Sequence, residues 1–98
     1  MNDKRIADYL AICDTKARYC RALDTKDWDA CVDVFTEDLV LDTTPAGGYM
    51  THGRDEALRM IRASLEGART AHQVHSPEIR FEGDTAEVTW AMQDRVVW

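Results

Sequence analysis

Proline and glycine are scarce in this sequence, with two prolines and five glycines among 98 residues. So few chain breakers exclude a collagen-like or low-complexity chain and leave room for long, uninterrupted elements. No apolar run approaches the roughly 20 residues of a membrane-spanning helix, and the N-terminus MNDKR leads into no signal-peptide core. Positive charge is also short: 12 basic residues against 18 acidic ones give a net charge of −6. A chain without a basic stripe is poorly suited to nucleic acid or to an anionic membrane. The three cysteines, Cys13, Cys20 and Cys31, form neither a Cys-x-x-Cys pair nor an even disulfide set. They lie in helical patterns, where a reduced cysteine packs as a small hydrophobe, and no Cys/His cluster points to zinc. One cytoplasmic domain spanning residues 1–98 is expected.

What is present is 45% apolar and 31% charged, and its periodicity changes along the chain. From Asp3 to Leu23, Ile6, Leu10, Cys13, Ala17, Cys20 and Leu23 recur at three or four, the pattern of an amphipathic helix. Asp24-Thr25-Lys26-Asp27 reads as a break with capping residues, and a short second helix follows through Trp28, Val32 and Phe35. Leu39-Val40-Leu41 and Tyr49-Met50-Thr51 read as two short strands around the turn Thr44-Pro45-Ala46-Gly47-Gly48. Gly53-Arg54-Asp55 opens a third helix with Leu58, Ile61 and Leu65 as its stripe and Gly67 as its stop. Thr70 to Phe81 reads as one long strand bent at Pro77. Glu82-Gly83-Asp84 makes a tight turn, and Thr85 to Trp98 returns. Helices grouped at the start, with antiparallel strands after them, indicate an α+β fold with the helices on one face of a curved sheet.

Polar residues at apolar positions carry the chemistry. On the last strand the even positions Ala86, Val88, Trp90, Met92, Asp94, Val96 and Trp98 form the inward set. Asp94 therefore needs a partner, a proton or a cavity, because desolvating a lone carboxylate is too costly. A bulge turning it outward, or an arginine partner, is the alternative. His72 and His75 stand an odd number of residues apart, on opposite faces, so they are no metal pair. His72 shares a face with Val74 and is the inward one; alone, it reads more readily as a hydrogen-bonded core histidine than as a catalyst. Tyr19 lies near the end of the first helix and Asp24 at the break after it. A surface phenol and a helix cap are their plain readings.

The run Arg18-Tyr19-Cys20-Arg21-Ala22-Leu23-Asp24-Thr25-Lys26-Asp27-Trp28 resembles the N-terminal signature of the SnoaL-like branch of the nuclear transport factor 2-like superfamily. Phe35-Thr36-Glu37-Asp38, Gly53-Arg54-Asp55 and Thr70-Ala71-His72-Gln73 match in the same order. The branch is similar to scytalone dehydratases, bile acid 7α-dehydratases, a dehydrochlorinase and, more distantly, ketosteroid isomerase. The resemblance implies a cystatin-like cone, an α+β barrel whose curved antiparallel sheet wraps a long helix. Relatives continue with a further hairpin, so a cone lacking its last C-terminal strands is expected. The resemblance also implies an Asp/His dyad of Asp24 and His72, with Tyr19 and Asp94 completing the catalytic set. Trp90, Met92, Val74, Phe35 and Leu41 would line the substrate pocket. Met92 stands where scytalone dehydratases carry a second histidine, which argues against scytalone-type chemistry.

The implied activity is a dehydratase, or lyase, acting without cofactor or metal on an apolar carbonyl compound. The skeleton would be steroid, polyketide, terpenoid or aromatic. An isomerase like ketosteroid isomerase, a polyketide cyclase, or a non-catalytic ligand-binding or dimerisation domain are the other readings. A homodimer is expected by the same resemblance, with a trimer as the alternative.

Overall fold

The computed structural model describes residues 2–98. Helix α1, Asp3–Thr25, begins where the Asn2 side chain accepts a hydrogen bond from the Arg5 amide. It ends where Lys26 enters the left-handed region at φ 60°, an uncommon conformation for a residue with a Cβ. The short helix α2, Trp28–Asp33, starts directly afterwards and is capped by Asp27, whose carboxylate accepts from the Ala30 amide. Capping thus falls to Asp27 and leaves the Asp24 side chain free for another partner.

Strands β1 (Val40–Asp42) and β2 (Met50–His52) pair antiparallel across a 3-10 turn at Thr44–Ala46. Helix α3, Arg54–Leu65, follows from Gly53, which sits at φ 93°, where a Cβ would be strained. The Gly53 amide donates to the Leu39 carbonyl, and the Arg54 guanidinium donates to the Phe35 carbonyl. These bonds tie the start of α3 to the segment between α2 and β1. Gly67 is not a left-handed cap, since φ stays negative there.

The expected long hairpin is broken in both arms. β3 (Arg69–Val74) pairs antiparallel with β6 (Met92–Val97), and β4 (Glu78–Glu82) pairs with β5 (Thr85–Thr89). Between the two ladders, residues 75–77 face only Trp90 and Ala91, so one arm carries an extra residue. Pro77 has no amide to offer a ladder, and the His75 amide alone bridges the gap, donating to the Ala91 carbonyl at 2.9 Å. The extra residue inverts the facing of one arm, as a β-bulge does. Even residues Thr70, His72 and Val74 are the more buried set before the kink, and odd residues Ile79 and Phe81 after it. On the opposite arm the inward set stays even throughout. The kink bends the hairpin and gives the sheet its curvature. Helices followed by a curved antiparallel sheet confirm the α+β reading. No helix among the described residues is long and apolar enough to cross a membrane.

The core sits where the three helices meet. Ala22, Leu23 and Cys31 are buried, with Tyr19, Trp28, Leu58, Ile61 and Leu65 packed around them. The predicted α1 stripe is only half covered: Cys20 and Leu23 are buried, but Ile6 is 47% and Leu10 62% exposed. The turn from α1 to α2 brings core partners to the C-terminal half alone. At the other end the contact of note is Arg5, which donates to the Gly83 carbonyl at 3.1 Å and stacks over Phe81. All three cysteines are free thiols.

Candidate active site

The last turn of α1 and the first residues of β3 meet through one carboxylate. Asp24 Oδ2 accepts from the His72 backbone amide at 3.0 Å, while Oδ1 accepts from the Thr70 hydroxyl at 2.8 Å and lies 2.6 Å from His72 Nδ1. Desolvation alone would raise the Asp24 pKa. The bonds from the His72 amide, the His72 ring and the Thr70 hydroxyl outweigh it and hold the carboxyl below its ordinary value. An ionised carboxylate only accepts, so the bonded Nδ1 must carry the proton. In the neutral ring Nε2 is then the basic nitrogen, the arrangement of a base oriented by a third group. Thr70 also receives the Lys26 ammonium at 3.3 Å, so the left-handed turn at Lys26 closes a chain of donors behind Asp24. The His72 side chain is 9% exposed and the Asp24 side chain 27%. The ring forms part of the wall of a cavity of about 810 Å³.

This cavity lies between α1 from Ala11 to Leu23, helix α3 and the β3–β6 ladder. Tyr19, Asp94, Phe35, Leu41, Trp90 and Met92 line it together with His72. The register pairs His72 directly with Asp94, so the two side chains stand next to each other on one face. Asp94 is exposed, contrary to a fully buried even set, because β6 pairs only with β3 among the described strands. It nevertheless stays on the cavity side; the bulge lies at residues 75–77 and does not turn it outward. Burial pushes the Tyr19 phenol up to about 12, with Cys31, Cys20 and Asp94 adding to the effect. Tyr19 is therefore a neutral donor at ordinary pH, and the Phe35 ring holds it edge-on at 5.2 Å.

Two points depart from the sequence expectation. Val74 does not line the cavity: it follows His72 on the same face, next to the kink, and is half-buried outside the lining. Lys16 does line it, with its ammonium over the Tyr19 ring at 5.4 Å and the Trp90 ring at 6.0 Å. The signal for Lys16 was its place on the face Ile12, Lys16, Tyr19, Leu23, offset from the more apolar stripe through Leu10, Cys13 and Ala17. The remaining wall, which includes Thr43, Thr51, Met60 and Ile61, comes from the turn after β1, from β2 and from α3, and no local pattern marks it. Among the described residues, no three His, Cys, Asp or Glu side chains converge as a metal site requires. Burial raises the Cys20 thiol pKa, so it borders the site as a neutral thiol.

The family model for the SnoaL-like domain matches residues 4–98. Among solved structures, a candidate aromatic ring hydroxylase from Novosphingobium aromaticivorans superposes with a TM-score of 0.86. It is 33% identical, over 94% of this chain and 66% of its own. A protein from Catenulispora acidiphila gives 0.82 at 22% identity, over 97% of this chain and 70% of its own. An LEH-like epoxide hydrolase from M. tuberculosis gives 0.63 at 18% identity, over 85% and 58%. The last two are likenesses of fold. The chain spans 66% of the length of the first.

Proposed function

The chain belongs to the SnoaL-like family, and from that premise we propose that it is a dehydratase of apolar carbonyl compounds working through an Asp24–His72 dyad. The observation that carries this reading is the 2.6 Å contact of Asp24 with His72 Nδ1 on the wall of a largely apolar cavity. A helix cap explains neither the three bonds that Asp24 accepts nor its reach across to β3.

The reaction is loss of water from a β-hydroxy carbonyl compound. Nε2 of His72 takes the proton from the α-carbon, and the electron pair moves onto the carbonyl as an enolate. Tyr19, a neutral phenol, donates to that oxygen and stabilises the charge that develops there. As the enolate collapses, the α,β double bond forms and the bond to the β-oxygen breaks. The imidazolium returns its proton to the departing oxygen, and water leaves. Asp24 keeps the ring in one tautomer and balances the imidazolium between the two transfers. Asp94, beside His72, accepts from the β-hydroxyl and holds it on the face of the abstracted proton. No step draws on a group outside the chain and its substrate. Homodimer formation belongs to the same proposal, and sedimentation would report it.

The test uses β-hydroxy ketones on steroid, polyketide, terpenoid and aromatic skeletons, first selected by thermal stabilisation of the protein. Dehydration is then followed through enone absorbance. His72→Ala lowers kcat/KM by about 10²–10⁴-fold, and Asp24→Asn lowers kcat without a matching change in KM. Turnover unchanged in both variants contradicts the dyad. A product that keeps its oxygen while the double bond moves supports isomerisation instead. Stabilisation by ligand with no turnover of any of them supports a binding domain.

A further inference from the structure

Lys16 has no role in the chemistry proposed above, yet it supplies the only lysine or arginine among the described residues of the cavity wall. It is half-buried. No hydrogen bond or salt bridge links its side chain to another described residue, and its ammonium rests over the Tyr19 and Trp90 rings. Such contacts hold a cation loosely and replace only part of its hydration. A cation kept in an apolar cavity with no anion beside it is a ready acceptor for one that arrives with a ligand, because a charge-assisted bond is the stronger interaction.

Position says which end of the ligand this is. Lys16 precedes Asp24 by eight residues of α1, about 12 Å of helical rise. On the opposite wall Trp90, which faces the Lys16 ammonium, precedes Asp94 by four residues of a kinked strand, at most about 13 Å. Along both walls the backbone of Lys16 and Trp90 is therefore offset from that of Asp24 and Asp94 by a similar span. Charge is sorted in the same sense: Asp94 and the ionised Asp24 lie at the dyad end and repel an anion, and the lysine lies at the other. This arrangement favours the orientation of an amphipathic ligand that brings an anionic end to Lys16.

We propose that Lys16 anchors a carboxylate at the end of the ligand remote from His72. The substrate is then an apolar carbonyl compound that carries its carboxylate across the skeleton from the reacting carbon. The inference rests on the reading of this cavity as the substrate site, and not on the reaction that takes place there.

The probes are 4′-acetylbiphenyl-4-carboxylate and its methyl ester, which differ in charge at one end of the same rigid skeleton. Binding to the whole chain is measured by calorimetry. The wild type binds the acid about tenfold more tightly than the ester, equivalent to about 1.4 kcal/mol. Lys16→Met binds the two alike, with the ester bound as in the wild type. Lys16→Arg keeps the preference, which separates loss of the anchor from loss of the fold. His72→Gln also keeps it, so the result stands apart from any failure of the dehydratase reading. Equal binding of acid and ester by the wild type, no binding of either, or a preference that survives Lys16→Met overturns the proposal. So does a preference lost in His72→Gln, which places the carboxylate at the dyad.

Discussion

The two halves of α1 carry the same kind of apolar pattern and meet different fates. In the C-terminal half Cys20, Ala22 and Leu23 are buried, Tyr19 faces a cavity, and Asp24 is bonded to β3. In the N-terminal half Ile6 and Leu10 stand exposed, and the Arg5 contacts to Gly83 and Phe81 join the helix to the far turn of the hairpin. Periodicity tells which residues share a face of a helix. It does not tell whether another element covers that face, which depends on where the chain turns next. The site occupies the covered half, where a rigid helix end, a core and a strand can hold a carboxylate and an imidazole in register.

That contrast can be broken by substitution. Leu23→Ala opens a cavity in the three-helix core, and we expect a loss of about 2–5 kcal/mol in urea or thermal unfolding. A smaller response comes from acid. The Asp24 pKa lies below the ordinary aspartate value of 3.8 in the folded chain. Its bonds therefore stabilise the fold above the unfolded value, and that stability is lost as pH falls through the folded value. Asp24→Asn should flatten this acid limb of the stability curve, while leaving intact the part due to other carboxylates. Thr70→Val removes one neutral donor to Asp24 and should cost about 1 kcal/mol, with a larger fall in activity than in stability. Smallest of all, Leu10→Ala should change stability by no more than about 0.5 kcal/mol. Were Leu10→Ala as costly as Leu23→Ala, the two halves would be equally packed in solution, and the contrast would fail.

Much of this was legible in the sequence, for reasons that differ by element. The lack of breakers between Asp3 and Leu23 marked α1, which runs two residues further into the expected break, and Gly83 marked the tight turn with its positive φ. Alternation from Thr70 to Val74 placed His72 inward, because a strand has only two faces. Asp24 was ambiguous from composition alone, since an aspartate after a helix is usually a cap. Its place in the run from Tyr19 to Trp28 supplied the pairing with His72 that local pattern could not. Two features were not legible. The register shift at residues 75–77 depends on a count across both arms of a hairpin, which Pro77 hinted at without fixing. Lys16 was hidden because a polar residue on a helix ordinarily points to water; only the tertiary placement of Trp90 turns that face into a wall.

The central claim is that Asp24 holds the His72 proton on Nδ1 and leaves Nε2 basic toward the cavity. Nitrogen-15 NMR of the imidazole rings tests it without a substrate. The account predicts that at neutral pH His72 is the Nδ1–H tautomer, with a strongly downfield Nδ1 proton that Asp24→Asn abolishes. A His72 ring protonated on Nε2 alone, or a spectrum indifferent to Asp24→Asn, would contradict it.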